Sequence, residues 1–217
     1  MKVEFHCHTV YSKDSLMAPQ SLLARCRQRG IDRVVVTDHN TIRGAARAKE
    51  LDPERVIIGE EIMTTGGELL AAFVLEEVPA GLHPQAAIDR LRQQGAFISV
   101  SHPFDRFREG SWRRRDLLRI LPEVDAIEVY NSRCWLPAFN QTAMAFAKEH
   151  QMAGTVGSDA HAAFELGRSV LLIDRFDDAG QLRVALRSAT SILAWSPPWF
   201  HMASRYATAV KRIRAKT

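Results

Sequence analysis

The chain has 217 residues and a net charge of +4, and 46% of its residues are apolar and 25% are charged. This length and composition are typical of one globular domain. They exclude an intrinsically disordered chain. No apolar run is long enough to span a bilayer, and no basic-then-apolar signal layout opens the chain, so we expect no membrane partner. The three scattered cysteines exclude a disulfide framework and fit a reducing compartment, so a cytoplasmic location is expected.

Strand-like and helix-like segments alternate along the chain, with short connections between them. In chain order the pattern predicts strand 2–7, helix 21–29 closed by Gly30, strand 34–37, helix 45–51, strands 56–58 and 69–75, helix 84–94, strand 97–100, helix 113–120, strand 126–130, helix 138–150, strands 153–156 and 169–173, and helix 179–189. Repeated β-then-α units favour a parallel sheet, either open or closed into a barrel.

The composition changes near residue 195, which predicts a barrel domain over residues 1–194 and a C-terminal tail over residues 195–217. In the tail, Pro197 and Pro198 interrupt the chain before a basic stretch. That stretch contains Arg205, Lys211, Arg212 and Arg214. Charge runs of this kind are usually solvated faces, so we expect an amphipathic helix packed on the exterior of the barrel.

Four short clusters of metal-ligand residues each follow an apolar run. The clusters are His6-Cys7-His8, Asp38-His39, His102 and Asp159-Ala160-His161. If the apolar runs are strands, every cluster lies at the end of a strand, where parallel α/β folds collect their active-site loops. Residues two apart on a strand point to the same face, so His6 and His8 can reach one ion. The clusters predict a metal site, and their spread around the sequence favours a closed barrel over an open sheet.

Two further candidate ligands, Glu60 and Glu61, are consecutive in the sequence. On an extended chain, consecutive side chains point to opposite faces, so only one of these carboxylates should enter the site. Their spacing alone leaves the choice between them open.

Five motifs in order along the chain carry a resemblance to a known family. They are His6-Cys7-His8-Thr9 with Tyr11-Ser12 and Asp14, then Thr37-Asp38-His39-Asn40, Gly59-Glu60-Glu61, Ser101-His102-Pro103, and Gly157-Ser158-Asp159-Ala160-His161. This order resembles the PHP (polymerase and histidinol phosphatase) family of metal-dependent phosphoesterases. The resemblance implies an α/β fold, a distorted seven-stranded (β/α)7 barrel similar to a TIM barrel, with two or three divalent metal ions at its C-terminal mouth.

The resemblance also implies which residues would bind the metal ions. It selects Glu61 over Glu60, because the family's glutamate follows its glycine with one residue between. One ion would be bound by His6, His8, Glu61 and Asp159, a second by Glu61 and His102, and a third by Asp14, His39 and His161, which makes a trinuclear centre. Many relatives carry a further histidine soon after the glutamate, whereas this chain has no histidine between His39 and His83. Glu68 is the expected substitute, because carboxylates can replace imidazole as metal ligands.

The ligand types also indicate the metals and the chemistry. Mixed nitrogen and oxygen ligands suit manganese, zinc and iron. Two such ions about 3.5–4 Å apart can share a water and lower its pKa, so that no protein nucleophile is required. The residues expected to act in catalysis are Asp38, Arg106, Asn131 and Arg168. Asp38 would orient a ligand or transfer a proton, while arginines at the mouth, which also include Arg108 and Arg133, would bind the phosphate.

These observations predict a hydrolase that cleaves phosphomonoesters of small molecules or nucleotides with a metal-activated water. One alternative is an exonuclease acting on single-stranded oligonucleotides, which a basic rim, a basic tail and Trp135 as a stacking surface would serve. Another alternative is a non-catalytic, metal-stabilised PHP module, although the nearly complete ligand set argues against it. The physiological substrate and the oligomeric state are left open.

Overall fold

The structure is a computed structural model that describes residues 1–214, so residues 215–217 of the expected tail lie outside the described residues. The strands are β1 (Lys2–Glu4), β2 (Arg33–Val36), β3 (Val56–Met63), β4 (Glu68–Ala72), β5 (Phe97–Val100), β6 (Ala126–Asn131), β7 (Ala153–Gly157), β8 (Val170–Leu172) and β9 (Thr190–Ile192). The α-helices are α1 (Pro19–Arg29), α2 (Arg43–Leu51), α3 (Pro84–Gln93), α4 (Arg114–Ile120), α5 (Pro137–Glu149), α6 (Ala179–Ala185) and α7 (His201–Arg214). Within the described range, every helix is too short or too polar to traverse a bilayer.

The nine strands of the described residues form one sheet in the order β7-β6-β5-β4-β3-β2-β1-β8-β9. Neighbours are parallel within β1–β2–β3 and within β5–β6–β7, whereas β4 runs antiparallel to both β3 and β5. β8 and β9 extend the sheet beyond β1 with antiparallel pairing. The sheet nearly closes where Cys7 pairs in parallel with Ala160 and the amide of His8 donates to the Ala160 carbonyl at 2.8 Å. The chain therefore forms a nearly closed, mixed α/β barrel.

The prediction of seven parallel strands is wrong in two respects. The sheet has nine strands within residues 1–214, and three of them, β4, β8 and β9, pair antiparallel. Residues 64–67 alone join β3 to β4, and so short a connection can join only antiparallel strands, because parallel strands need a longer crossover. Thr64 closes this turn by donating from its hydroxyl to the Gly67 carbonyl at 2.5 Å. β9 lacks the apolar pattern of a buried strand, because all of its residues are exposed.

Each segment predicted as a helix or strand is one in the structure, although the ends differ by several residues. α1 ends at Gly30 as predicted, because Gly30 adopts a left-handed conformation (φ 62°) that costs other residues more. β3 continues past the predicted end at Ile58 as far as Met63. The two consecutive glutamates that follow Gly59 hide this continuation in the sequence, because buried strands rarely contain charged residues.

Apolar side chains fill the barrel interior away from the carboxyl ends of the parallel strands. Phe5 and Phe97 pack edge to face there, with ring centroids 5.6 Å apart. Phe176, shortly before α6, and Leu182 in α6 belong to the same buried cluster and cover this end of the barrel. Burial of such apolar surface is the main stabilising contribution to folding. The polar interior residues are therefore concentrated at the opposite end, the mouth, where the parallel strands end.

The helix of the basic tail, α7, lies beside the mouth and contacts its loops. Lys211 donates from Nζ to the carbonyls of Val10 and Ser12, in the loop after β1. The ring of His201 stacks on that of Trp135, in the loop after β6, with centroids 4.2 Å apart and planes 3° apart. These contacts attach the two ends of α7 to two different mouth loops.

Candidate metal centre

The loops at the mouth bring all nine predicted ligands into one group, called here the ligand cluster. Its members are His6, His8 and Asp14 from the loop after β1, His39 after β2, Glu61 in β3, Glu68 in β4, His102 after β5, and Asp159 and His161 after β7. The side chains of Asp14 and His39 keep 19% and 18% exposure, and the other members are buried. Because each buried ionisable group loses its hydration, such a cluster requires strong compensating interactions.

Glu61 lies at the centre of the ligand cluster. Its Oε2 atom lies 3.3 Å from Nε2 of both His6 and His8. The same oxygen lies 3.1 Å from Nδ1 of His39, while Oε1 lies 3.2 Å from Nε2 of His102. One carboxylate therefore faces four imidazole rings, which belong to the loops after three different strands. This arrangement would allow it to bridge two ions.

Asp159 adds a second carboxylate beside the first two histidines. Its Oδ1 atom lies 3.1 Å from Nε2 of His8 and 3.6 Å from Nε2 of His6. The two Nε2 atoms are themselves 3.1 Å apart. Asp159 has a positive φ of 51°, a left-handed conformation that aspartate tolerates better than most residues. This turn is part of what aims its carboxylate at the two histidines of the loop after β1.

Glu68 and Asp14 extend the ligand cluster in two further directions. Oε1 of Glu68 lies 3.6 Å from Nδ1 of His39, and Oε2 of Glu68 lies 3.4 Å from Nε2 of His102. Asp14 Oδ2 lies 3.1 Å from Nε2 of His161 and 3.6 Å from Nε2 of His39. His39 thus has one ring nitrogen toward each of these carboxylates and lies between the two subsets.

These separations fit ligands arranged around metal ions. Metal–nitrogen and metal–oxygen bonds of about 2.0–2.2 Å place neighbouring ligand atoms of one ion roughly 3.0–3.5 Å apart. Three triplets have their ligand atoms within 4.8 Å of one another: His6, His8 and Glu61; His8, His39 and His161; and His39, Glu61 and Glu68. Their mixed nitrogen and oxygen donors suit manganese, iron or zinc. The residues present therefore fit divalent metal ions.

Hydrogen bonds at Nδ1 fix the tautomers of two histidines of the ligand cluster. Nδ1 of His6 lies 2.9 Å from Oε1 of Glu128, and Nδ1 of His161 lies 2.8 Å from the carbonyl of Asp159. Both partners are acceptors, so Nδ1 carries the proton in each ring. The Nε2 lone pair then faces the other ligands, which is the form of histidine that binds a metal ion.

Asp38 positions a ligand and makes no hydrogen bond or ion pair with a ligand side chain of residues 1–214. It accepts hydrogen bonds from the amide and hydroxyl of Thr9 and from the hydroxyl of Ser12, each at 2.6 Å. The Ser12 hydroxyl oxygen then accepts from the His39 amide at 3.0 Å and lies 3.2 Å from Nδ1 of His8. Burial raises the pKa of Asp38. Asp38 therefore orients His8 through Ser12.

Burial and mutual charge drive neighbouring ligands toward different protonation states. Burial opposes the charged form of His6, yet the nearby carboxylates of Glu61 and Asp159 raise its pKa well above its ordinary value. Two residues away, burial and the charges of neighbouring histidines lower the pKa of His8 to about 3. Burial, reinforced by the charge of Glu61, raises the pKa of Glu68. Bound cations would take the place of protons and let all these groups act as ligands together.

Glu128 in β6 is a buried carboxylate that the sequence reasoning missed. Besides His6 Nδ1, it accepts hydrogen bonds from the amide of His102 at 2.8 Å and from Nδ2 of Asn131 at 3.1 Å. Asn131 Nδ2 also lies 3.2 Å from Oδ2 of Asp159, which places this predicted residue at the edge of the ligand cluster. The available signal for Glu128 was a carboxylate inside the apolar run 126–130, because a charge in a buried strand needs a partner.

Arg108, rather than the predicted Arg106, turns toward the ligand cluster. Arg108 donates from Nη1 to Oδ2 of Asp159 and from Nη2 to the carbonyl of Arg133 at 3.1 Å. Arg106 is exposed and lines a different cavity, together with Trp112. Both arginines lie in the irregular loop after β5, where no periodicity in the sequence indicates which side chain faces the site.

Glu60 and the predicted residue Arg168 both point away from the ligand cluster. Glu60 accepts a hydrogen bond from the Val78 amide at 3.0 Å, and burial raises its pKa to about 8. Arg168 donates from Nη2 to the carbonyl of Trp195 at 2.5 Å, and its guanidinium lies 5.1 Å from the centre of the Phe200 ring. Arg168 therefore stabilises the segment that leads into α7.

A cavity of about 510 Å³ opens above the ligand cluster. Its lining includes the ligands Asp14, His39, Glu68 and His161 and, at the rim, Lys13, Arg108, Glu109, Arg133, Trp135, His201, Met202, Ser204 and Arg205. Gly110 allows the loop after β5 to cover Glu68, because a Cβ atom at this position would overlap the Glu68 carboxylate. The volume lies in the range typical of small-molecule sites.

Sequence relatives identify the family of this chain. Residues 4–109 match the PHP domain, and residues 137–191 match the PHP-associated family. The uncharacterized protein MJ0417 of Methanocaldococcus jannaschii is 38% identical over 187 residues, which cover 82% of this chain and 75% of the relative. The chain therefore belongs to the PHP-domain family, which confirms the resemblance seen in its motifs.

Solved structures share the fold at low sequence identity. PsfC from Pseudomonas syringae PB-5123 has a TM-score of 0.69 at 19% identity, covering 96% of this chain and 98% of its own. A protein from Bifidobacterium adolescentis assigned as a metal-dependent phosphoesterase has a TM-score of 0.64 at 16% identity, covering 85% and 95%. The lesion-specific endonuclease PfuEndoQ from Pyrococcus furiosus has a TM-score of 0.60 at 14% identity, covering 91% and 59%. At these identities the likeness concerns the fold alone.

Proposed function

We propose that this protein is a metal-dependent hydrolase that cleaves phosphomonoesters of small molecules or nucleotides. Membership of the PHP-domain family, the ligand cluster and the phosphoesterase among the structural neighbours support this function. Divalent ions bound by the ligand cluster would lower the pKa of a bound water and neutralise negative charge on the attacked phosphate. No serine, cysteine or histidine nucleophile is then needed.

The position of Glu61 is the observation that carries this proposal. Its two oxygens face the rings of His6, His8, His39 and His102. A buried carboxylate that served stability alone would be expected to face fixed donors such as arginines or backbone amides. Glu61 instead faces imidazole nitrogens, which can give up their protons and bind the same metal ions as a bridging carboxylate.

Arg108 is the residue best placed to bind the phosphate group. It lines the cavity, and Asp105 and Asp159 hold its guanidinium, with 3.4 Å between Arg108 Nε and Oδ2 of Asp105. Its planar fork of donors matches phosphate oxygens, and a guanidinium already held in place loses little freedom on binding. Asn131 would add an amide donor on the same side of the ligand cluster.

A metal-supplemented activity screen tests the proposal. Protein prepared without chelator is assayed with Mn²⁺, Zn²⁺ or Fe²⁺ against sugar phosphates, mononucleotides and short oligonucleotides, alongside the Glu61→Gln variant. We expect metal-dependent release of inorganic phosphate from small phosphomonoesters by the unaltered protein only. Tight metal binding without turnover of any phosphoester would instead leave the non-catalytic module as the remaining function.

We infer exonuclease activity as a second candidate, because another basic cavity lies on the loop after β5. This cavity of about 510 Å³ is lined by Phe104, Arg106, Ser111, Trp112, Arg113, Arg114 and Thr142. Within residues 1–214, Arg106 and Arg113 have no ion pair, so both could bind backbone phosphates beyond the one at the mouth. One structural neighbour, PfuEndoQ, is an endonuclease.

A salt series separates the two candidates. Each neutralised phosphate steepens the salt dependence of binding, so a nuclease loses activity on a 5′-phosphorylated oligonucleotide as salt rises, far more than a monoesterase does on a mononucleotide. We expect the mononucleotide to be the better substrate at all salt concentrations. Higher kcat/KM on the oligonucleotide, lost with added salt or in Arg106→Gln and Arg113→Gln variants, would favour the exonuclease.

A further inference from the structure

We propose that Lys13 and Arg205 form an anion-binding subsite at the outer end of the cavity, so that the preferred substrate is a small phosphomonoester carrying a second anionic group. This inference rests on the proposed phosphoesterase function and specifies its substrate class. The second group is a carboxylate or a phosphate, which share the chemistry that a lysine and an arginine recognise.

Lys13 and Arg205 are the two cations of the cavity lining that no carboxylate of the described residues holds, and they are available for a second anionic group besides the phosphate that Arg108 would bind. Arg108 is already paired with Asp159, and the Arg133 guanidinium lies 3.5 Å from the buried carboxylate of Glu165. Lys13 and Arg205 are both exposed, and within the described residues neither forms an ion pair or a side-chain hydrogen bond. An anion at the rim would therefore find two cations that no carboxylate of residues 1–214 neutralises.

The surrounding contacts place both cations over one cavity. Lys211 donates to the carbonyl of Ser12, directly before Lys13, and so attaches α7 to the loop that carries Lys13. Arg133 donates from Nη2 to the hydroxyl of Ser204, directly before Arg205, at 2.5 Å. The loop after β1 and the helix α7 therefore present their free cations from two mutually attached walls.

Other lining residues indicate where the rest of the substrate would lie. Trp135 and Met202 of α7 also line the cavity, and offer apolar surface for the carbon body of a small molecule. Glu109 is exposed and lines the cavity from the loop after β5, so its charge repels an anion on that side. The second anionic group is therefore directed toward α7, where Lys13 and Arg205 lie.

The size of the cavity favours a small molecule over a polymer as the source of the second charge. A volume of about 510 Å³ accommodates a ligand of small-metabolite size. With α7 attached on one side, a polymer would have to extend beyond the cavity past another of its walls. An oligonucleotide would then find its further phosphate contacts at Arg106 and Arg113 rather than at Arg205.

Matched substrate pairs test the inference by activity. Glycerol 3-phosphate is compared with 3-phosphoglycerate, and fructose 6-phosphate with fructose 1,6-bisphosphate, using the metal-loaded full chain. We expect kcat/KM to be roughly fivefold to tenfold higher for the member of each pair with the second anion, since each exposed ion pair contributes modestly. The Lys13→Met and Arg205→Met variants should lower this ratio toward one, chiefly through KM.

Arg212→Met is the matched control, because Arg212 is an exposed arginine of α7 that does not line the cavity. It removes one positive charge from the same helix and should leave the ratio unchanged. Equal metal content and equal circular dichroism in all variants exclude loss of folding. A ratio near one in the unaltered protein, or an equal loss of the ratio in Arg212→Met, would overturn the inference.

A binding measurement separates this inference from the proposed function. Calorimetric titration compares 3-phosphonopropionate with propylphosphonate, which differ by a carboxylate and have a carbon–phosphorus bond that is not hydrolysed. Tighter binding of 3-phosphonopropionate that is lost in Arg205→Met supports the subsite even if no phosphoester is turned over. Equal affinities, together with rapid turnover of all phosphomonoesters, would reject the subsite and keep the phosphoesterase.

Discussion

Carboxylates at the two ends of the barrel are surrounded in opposite ways. At the end away from the mouth, Asp125 accepts hydrogen bonds from Arg92 at 2.9 and 3.0 Å, from Arg183 at 2.9 and 3.2 Å, and from the Ile98 amide at 2.9 Å. At the mouth, Glu61 faces four histidines. Both carboxylates have full sets of neighbours, but only those of Asp125 carry a permanent positive charge.

The difference separates residues that stabilise the fold from residues that are arranged for a ligand. Burial opposes ionisation of Asp125, but the hydrogen bonds from Arg183 and Arg92 lower its pKa, so the network is complete without any other component. The ligand cluster would be complete once cations replaced the protons on its histidines. In barrels of this type, polar residues at the mouth commonly serve function and those at the opposite end serve stability.

The largest expected effect is that of Glu61→Gln. Removing the charge that faces four imidazoles should lower kcat/KM more than about a hundredfold, since even outer partners of metal ligands contribute ten- to hundredfold. The neighbouring Glu60→Gln variant is the control. Glu60 has a raised pKa of about 8 and accepts a backbone hydrogen bond, so a neutral amide replaces it with little change. A larger loss of kcat/KM in Glu60→Gln than in Glu61→Gln would show that Glu60, and not Glu61, is the central carboxylate.

Metal addition should stabilise the mouth and leave the other end unaffected. A ligand that binds only the folded state adds about 2.7 kcal/mol at a concentration of 100 Kd, so Mn²⁺ or Zn²⁺ should raise Tm and a chelator should reverse the increase. The Asp125→Asn variant should start from a lower Tm and show the same increase. Differential scanning calorimetry measures both quantities. Loss of the metal-induced increase in Asp125→Asn would mean that the two ends are coupled.

Glu128→Gln should have a smaller effect on the same centre. Glu128 fixes the His6 tautomer and the His102 amide without facing the cluster centre itself. The variant should weaken metal binding about ten- to hundredfold, with the same number of equivalents bound as in the unaltered protein once metal is saturating. Titration with a competing metal indicator gives the affinity. Unchanged affinity would show that the ring of His6 is oriented by packing alone.

Asp125→Asn should cost about 1–2 kcal/mol of unfolding free energy, because an amide accepts fewer hydrogen bonds from two arginines. The pKa of Asp125 is lowered by folding, so its contribution is fully present above the unfolded pKa of about 3.9 and disappears as pH falls through the lower folded value. Urea unfolding at pH 7 and pH 3 should therefore show a smaller difference between variant and unaltered protein at pH 3. A difference that grows in acid would contradict this assignment.

Local chemistry made much of the ligand cluster predictable from the sequence. His6 and His8 meet because residues two apart on an extended chain share a face, and their Nε2 atoms lie 3.1 Å apart. Gly30 ends α1 because glycine accepts positive φ. The end of a parallel strand is also a local property, so the position of each cluster at the mouth followed once its strand was recognised.

Features that depend on distant or irregular contacts were not predictable in this way. The reversal of β4 follows from its short connection to β3, which the sequence hid because the glutamates after Gly59 obscured the continuation of β3 to Met63. The choice between Arg106 and Arg108 depends on the path of an irregular loop. The contacts of α7 join residues about as far apart as the chain allows, since Lys211 binds the carbonyl of Val10, 201 positions earlier.

The contact between Lys211 and the loop after β1 can form only after α7 has been synthesised, so this part of the cavity forms late. A nascent chain emerges amino end first and its domains begin to fold during synthesis, so His6 and His8 leave the ribosome long before α7 exists. Every predicted ligand precedes α7 in the chain, and the wall that it adds to the cavity is therefore the last to form. A metal ion that binds the ligand cluster would therefore meet a wider mouth during translation than in the folded protein.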